Sequence, residues 1–286
     1  EISLGLVGSE MCIRDRGWIA MTNELYEKHC WALVDLDAMQ NNLALIKKTV
    51  GAPVCCVVKA DAYGHGAAVA GPWLEENGAA AFAVSCLAEA RHLRRHGISK
   101  PILILGYTDP LQVDQLAFNC ITQTVYSEEY AKALSAAAQN AGVEVHCHFK
   151  VDTGMGRIGF SVRSDFEAAI AAMERCAALP KLRFSGIFQH FAVADSNTPA
   201  DTAYTDEQHA LFARVVARLQ ADGFATGTVH CANSAAQLRH PEWRHDMTRA
   251  GIILYGLDPS DDVRFPALQL SLIHISEPTR PRLISY

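Results

Sequence analysis

Short apolar runs alternate with segments of helical period along most of this chain, and that pattern limits its fold more than any other feature. Runs of strand length, several rich in valine and isoleucine, occur at Val54 to Lys59, Ala81 to Cys86, Ile102 to Leu105, Gln123 to Tyr126, Val143 to Val151, Phe184 to His190, Thr228 to Ala232 and Met247 to Tyr255. Between them, Asp37 to Thr49, Gly66 to Asn77, Leu87 to Gly97, Ser127 to Gly142, Ser164 to Cys176, Asp206 to Gly223 and Ser234 to Leu238 carry Ala, Leu, Glu and Arg, and several stop at glycine. Such alternation implies a parallel sheet faced by helices. Eight strands in succession favour closure into an α/β (β/α)8 TIM-type barrel, with a doubly wound open sheet as the alternative. At 286 residues, half of them apolar, the chain can bury a full core.

Composition narrows the function classes. A net charge of -6, dispersed along the chain, offers no basic footprint, so no nucleic acid partner is expected. Apolar runs such as Pro101 to Leu105 fall far short of the roughly 20 residues that cross a membrane, and no basic-then-apolar leader opens the sequence, so the expected address is cytoplasmic, with no membrane partner. The nine cysteines are scattered, and a bridge between the adjacent Cys55 and Cys56 would be strained. They are expected to be buried thiols in a reducing compartment. No metal site is expected: in His146-Cys147-His148 the side chains alternate along a strand and point to opposite faces.

The two ends depart from the pattern. Glu1 to Arg16 and Ser271 to Tyr286 resemble translated sequencing-adapter read-through, so 1–16 and 271–286 are expected to be non-native flanks. The barrel is expected over 21–260, with 261–270 beginning a linker.

The residues with chemical potential lie at the ends of the apolar runs, where a barrel gathers its active site. Lys59 ends the first run and leads into a turn with Tyr63, Gly64 and Gly66. On position alone it is either a solvated strand end or an amine in a drier pocket suited to Schiff-base chemistry. Tyr63 alone reads equally as a ring packed over the barrel rim. Lys150 to Phe160 contains three glycines that permit a tight backbone path, and Arg157 offers a planar fork for a carboxylate or stands solvated. His190 follows the sixth run and could equally be a satisfied core histidine. Ser234 precedes a helical segment, where it can cap the helix, and Arg249-Ala250-Gly251-Ile252 ends the last run. The final two strand ends of a barrel often form a phosphate site.

The run Val57-Val58-Lys59-Ala60-Asp61-Ala62-Tyr63-Gly64-His65-Gly66 is similar to the cofactor-lysine motif of alanine racemases, pyridoxal-phosphate-dependent enzymes of fold type III. The similarity continues from Trp31-Ala32-Leu33-Val34-Asp35-Leu36-Asp37 to about Pro259. The resemblance implies pyridoxal 5'-phosphate as cofactor, Lys59 as the residue that holds it and moves the α-proton on one face, and Tyr63 as a phosphate contact. It further implies Arg157 beside the substrate carboxylate, Lys150 as a lysine carbamylated in many members, and His190 near the pyridine ring, bonded to Arg249. Ser234 matches the phosphate-contacting serine, with Gly251 and Ile252 as backbone donors. An unmodified Lys150 is the alternative.

Arg249 bears on reaction type. Many pyridoxal enzymes set a carboxylate against the pyridine nitrogen, whereas a donor-only arginine disfavours a proton there. The cofactor is then a weaker electron sink, which favours racemisation over transamination. The resemblance also implies a small-molecule amino acid substrate, a homodimer with shared active sites, and D-alanine supply for peptidoglycan. It places the second catalytic base, a tyrosine, in a carboxyl-terminal β-domain that is expected to be missing here, so little turnover is expected of this chain alone. The competing readings are a serine or broad-specificity racemase, a non-catalytic pyridoxal-phosphate homeostasis barrel, a decarboxylase or aldolase using the same lysine, and a sugar-phosphate barrel enzyme without cofactor.

Overall fold

The computed structural model describes the backbone of residues 10–14 and 30–276 and the side chains of 32–272. Eight parallel strands form the ring expected from the alternation: β1 (Val54–Val57), β2 (Ala81–Val84), β3 (Ile102–Ile104), β4 (Ile121–Val125), β5 (Val145–Asp152), β6 (Leu182–Phe188), β7 (Thr228–His230) and β8 (Thr248–Ala250). Neighbours pair in sequence order from β1 to β7, and β8 returns to pair with β1 through Thr248 opposite Val54. The remaining seam, between β7 and β8, is bridged where Arg249 N donates to Ala232 O (3.0 Å) and Asp246 N to Val229 O (3.1 Å). The open doubly wound alternative is thereby set aside.

β1, β2 and β3 read as continuous apolar runs because each is buried on both faces. Val54, Cys56, Val58, Phe82, Val84, Ile102 and Ile104 face the helices in the main core. Cys55, Val57, Ala81, Ala83 and Met247 fill the barrel interior in a smaller cluster with Leu105. On β5 the alternation sends Cys147, Phe149 and Val151 to the helix side. That leaves His148 and Lys150 facing inward, both buried. A register shift between Cys147 and His148 leaves Ser185 unmatched on β6, so Phe184 and Ile187 both serve the outer core although three apart. Gly186 makes room for the His148 ring: a Cβ there would meet it at 2.5 Å.

Helices start at recognisable caps. Asp35 accepts from Ala38 N (2.9 Å), Ser127 from Tyr130 N (3.1 Å) and Asp165 from Ala168 N (3.0 Å). Helices Leu36–Val50 and Glu128–Ala141 end at left-handed Gly51 and Gly142.

Several expected bounds shift. The helix expected from Asp206 begins at Pro199, with Thr198 accepting from Asp201 N (3.2 Å) and proline in the first turn. A short helix, Val113–Phe118, follows the single-turn Pro110–Gln112 segment where none was expected. The last apolar run stops as a strand at Ala250, because after Gly251 the chain coils through Ile252–Tyr255 and buries Ile253, Leu254 and Tyr255. Of the cysteines with described side chains, Cys55, Cys56, Cys147, Cys176 and Cys231 are buried as expected, but Cys86 is half-buried and Cys120 is exposed in a positive-φ turn.

A second small sheet joins Cys30–Asp35 to Glu10–Arg14 in parallel and to Leu272–Ser276 in antiparallel pairing. Residues leading into the last of these pack on the first helix: Asn42 Nδ2 donates to Gln269 O (2.8 Å) and Leu254 O (3.2 Å), and Gln269 N donates back to Asn42 Oδ1 (2.8 Å). Among the described residues no helix is long and apolar enough to cross a membrane.

Candidate active site

At the carboxyl-terminal rim of the barrel a cleft of about 280 Å³ is lined by Lys59, Tyr63, Lys150, Arg157, His190, Ser234, Arg249, Gly251 and Ile252. All nine residues singled out from the sequence meet there, although they span 194 positions from Lys59 to Ile252.

Lys59 enters the cleft from an unusual turn. Ala60, Asp61, Ala62 and Tyr63 all have positive φ (52°, 52°, 55° and 55°), a single turn of left-handed helix in residues that disfavour that hand. Several contacts hold the turn, three of them to groups outside it or to a side chain. Ala62 N donates to Val58 O (2.9 Å), Ala60 N donates to Glu89 Oε1 (2.8 Å), and Ala67 N donates to Asp61 Oδ1 (2.7 Å). The second oxygen of Glu89 takes Ser85 N at 2.7 Å, so this side chain ties the turn to the end of β2. The turn brings the Tyr63 ring to 5.9 Å from Lys59 Nζ and 5.0 Å from the Tyr255 ring. Tyr255 is itself fixed by its hydroxyl donating to Val57 O (2.8 Å). Burial raises the Tyr63 phenol above its ordinary value, which keeps it a neutral donor.

Ser234 Oγ accepts from Gly251 N (2.9 Å). A Cβ on Gly251 would lie 3.3 Å from Ser234 Oγ and 3.5 Å from Tyr63 Oη. The bare glycine therefore leaves a small niche between two hydroxyls at the start of the Ile252–Tyr255 turn.

Arg249 is buried and its acceptors are carbonyls and imidazoles: Gln189 O (2.8 Å), His230 O (3.0 Å), Cys231 O (3.0 Å) and His230 Nδ1 (2.8 Å). Burial lowers it to about 10, so it is still a cation at neutral pH. The expected contact with His190 is present but long, at 3.5 Å. The nearer imidazole is His230, which continues to His148 at 3.1 Å. This pair escaped the sequence reading, although His148 shares its strand parity with Lys150 and His230 lies four residues before Ser234. Burial, and then the neighbouring cations beginning with Arg249, hold His190 well below the ordinary imidazole value. His230 is held down by burial, Arg249 and His148, and His148 falls to about 4 chiefly through burial. All three are neutral near pH 7.

Lys150 is buried, donates to Val151 O (2.7 Å), and sits 5.7 Å from the Phe188 ring. Burial pushes it down to about 7; Asp152 opposes this, and Arg249 and Arg157 add to it. The loop after it is shaped by Asp152 Oδ1, which accepts from Gly154 N (3.0 Å) and Gly156 N (3.1 Å). Gly159 lies where a Cβ would meet Asp152 N at 2.7 Å and Lys150 O at 2.9 Å. Tyr204 Oη donates to Gly154 O (2.7 Å) and pins the loop from helix Pro199–Ala221. Arg157 stands exposed at the cleft mouth at the loop's far side.

The arrangement therefore combines an accessible primary amine, a polar niche at the start of a helical turn, and a buried guanidinium with neutral acceptors. Comparison with known proteins matches the same region. The sequence model "Alanine racemase, N-terminal domain" matches residues 34–259. An alanine racemase of Desulfovibrio desulfuricans is 46% identical over 243 residues, covering 84% of this chain and 64% of that protein, and one of Desulforamulus reducens is 44% identical, covering 82% and 62%. Among solved structures, alanine racemase of Clostridium difficile 630 superposes with a TM-score of 0.80 at 38% identity, covering 87% of this chain and 64% of that one. The Bacillus anthracis enzyme with bound L-Ala-P superposes at 0.77 and 35% identity, covering 85% and 63%. The chain thus spans a little under two thirds of the length of these relatives. On the match over residues 34–259 and the barrel that carries it, this chain belongs to the alanine racemase N-terminal domain family.

Proposed function

We propose that this chain is the cofactor-bearing part of an alanine racemase, interconverting L-alanine and D-alanine with pyridoxal 5'-phosphate held by Lys59. One observation carries the reading: the amine of Lys59, the hydroxyl niche at Gly251 and the carbonyl-bound Arg249 open into one cleft.

The residues fit the cofactor. The bare Gly251 leaves the approach to Ser234 Oγ and Tyr63 Oη open to the cleft, so a phosphate group there would meet two hydroxyls, with Ser234 held in place by the Gly251 N–H. When bound, pyridoxal phosphate supplies an electron sink for the charge left on the α-carbon as its proton departs. Lys59 would hold the cofactor and then take and return the α-proton on one face. Arg157 would hold the substrate carboxylate through its planar fork at the cleft mouth. His190, neutral, would pack against the cofactor ring. Arg249 has only donors to offer a ring nitrogen, so it disfavours a proton there and keeps the sink weak. A weak sink favours return of a proton to the α-carbon over its delivery to the cofactor's own carbon, and so favours racemisation over transamination.

Lys150, lowered to about 7, has a substantial share of free amine at neutral pH. That amine can add to carbon dioxide: the N–C bond forms, one proton leaves to water, and the product carbamate is an anion able to orient Arg157. Inversion requires a second acid–base group across the α-carbon from Lys59. We infer that it comes from the carboxyl-terminal domain of a partner subunit in a cytoplasmic homodimer supplying D-alanine for peptidoglycan.

Mixing the chain with pyridoxal phosphate is expected to give the yellow absorbance of lysine-bound cofactor, and Lys59→Ala to abolish it. Persistence of that absorbance in Lys59→Ala overturns the lysine assignment. Full turnover by a monomeric enzyme overturns the inferred second subunit.

A further inference from the structure

On the outer side of β7, away from the cleft, His209, Cys231 and His245 converge from three separate elements. His209 comes from helix Pro199–Ala221, Cys231 from the end of β7, and His245 from the loop that leads into β8. One ligand atom from each lies within 4.8 Å of the other two. An equilateral triangle of that edge has a circumradius of about 2.8 Å, and zinc bonds to sulfur and imidazole nitrogen run roughly 2.0–2.3 Å, so contraction of about half an ångström per ligand completes the set.

We propose that these three residues form a binding site for a divalent cation of the zinc class. Nitrogen and sulfur donors select a borderline or soft ion over calcium or magnesium, which take oxygen. The groups have little else to do. Nε2 of His209 is buried and has no hydrogen-bond partner among the described residues. Cys231 Sγ is fully buried and makes only weak contacts, to Trp243 O at 3.2 Å and to the Gln189 side chain. Trp243 stacks on His209 at 4.3 Å and so fixes that ring's plane. His245 is exposed at a left-handed φ of 46°, and it can swing inward and leave the fourth position to water. Carboxylates of Glu242 and Asp206 lie near His209 and that of Asp246 near His245, set against burial and the neighbouring His240 imidazole. Binding replaces the thiol proton of Cys231 with the metal, and one proton leaves to solvent. The ion would clamp the helix, the strand end and the loop together directly behind Arg249, whose Nη2 donates to the carbonyl of the same Cys231.

The test is equilibrium dialysis of the full chain against zinc, with bound metal counted, repeated with cobalt(II), whose visible bands report tetrahedral coordination and whose near-ultraviolet charge transfer reports a thiolate. One equivalent per chain is expected, with both cobalt signatures. Cys231→Ser should remove the charge transfer. His245→Asn, chosen because asparagine tolerates the left-handed backbone and the site is exposed, should weaken binding at least tenfold. His240→Gln, at a residue that stacks on Trp243 but is outside the triad, should bind as the parent does. Failure of the parent chain to retain an equivalent, or retention undiminished in both Cys231→Ser and His245→Asn, overturns the proposal.

Discussion

Replacing Ala60 by glycine should stabilise this protein, against the usual sign of that substitution. An alanine in the left-handed region costs roughly 1–2 kcal/mol, so the run from Ala60 to Tyr63 stores about 4–8 kcal/mol. At Ala60 (φ 52°, ψ 52°) the methyl is exposed, and deleting it forfeits no core packing. Glycine removes the clash at that position but adds unfolded-state entropy of about 0.4–1 kcal/mol, leaving a net gain on the order of 0.5–1 kcal/mol. Ala133→Gly is the matched control: also exposed, it lies inside the right-handed helix Glu128–Ala141 and should lose about 1 kcal/mol. Urea unfolding of both variants without cofactor reads the two signs. Cofactor uptake supplies a second axis, because a freely jointed residue next to Lys59 loosens its presentation. Uptake by Ala60→Gly should weaken even as its unfolding midpoint rises. A midpoint that falls in Ala60→Gly as it does in Ala133→Gly would refute the claim that strain is held in this turn.

Three further outcomes follow from the same geometry. Gly251→Ala places a methyl 3.3 Å from Ser234 Oγ and 3.5 Å from Tyr63 Oη, and should weaken pyridoxal phosphate binding at least tenfold; an unchanged spectroscopic titration counts against the phosphate niche. Glu89→Ala removes acceptors from Ala60 N and Ser85 N, and at this half-buried position should cost about 1–2 kcal/mol in urea unfolding, with no change speaking against its role as a clamp. His148, lowered from 6.5 to about 4, is held neutral in the fold. Between those values the unfolded chain binds more protons, so stability present above about pH 6.5 is lost as pH falls toward 4, by about 3 kcal/mol from this residue. A flat stability profile over that interval would contradict the buried neutral histidine.

How much could be read beforehand depended on whether a feature is local. Strands buried on both faces announce themselves as unbroken apolar runs, and the ring closed as expected. The nine cleft residues were legible through the motifs they share with alanine racemases; position alone left Lys59, Tyr63, Arg157, His190 and Ser234 each with an ordinary structural reading. The left-handed turn was not, since Ala60, Asp61 and Ala62 carry no mark of positive φ; only Gly64 and Gly66 hinted at a tight path. The bulge at Ser185 was equally silent, because it depends on which β5 residue faces which on β6. The His209, Cys231 and His245 cluster has no short spacing to betray it, as its members come from a helix, a strand end and a loop.

Arg249 shows both limits in one residue. Its identity, a permanent donor at the end of the last strand, could be read as a choice of reaction type. Its setting could not. It is held by carbonyls of Gln189, His230 and Cys231 and by an imidazole whose own partner, His148, lies 82 positions from His230 in the sequence. A guanidinium anchored on neutral acceptors keeps its full positive charge toward the cleft, where a carboxylate partner would have cancelled much of it. The weak electron sink inferred for the cofactor therefore rests as much on the unheralded His230 and His148 as on the arginine: protonating that pair in acid would set two like charges beside the already charged Arg249 and pull the buried network apart.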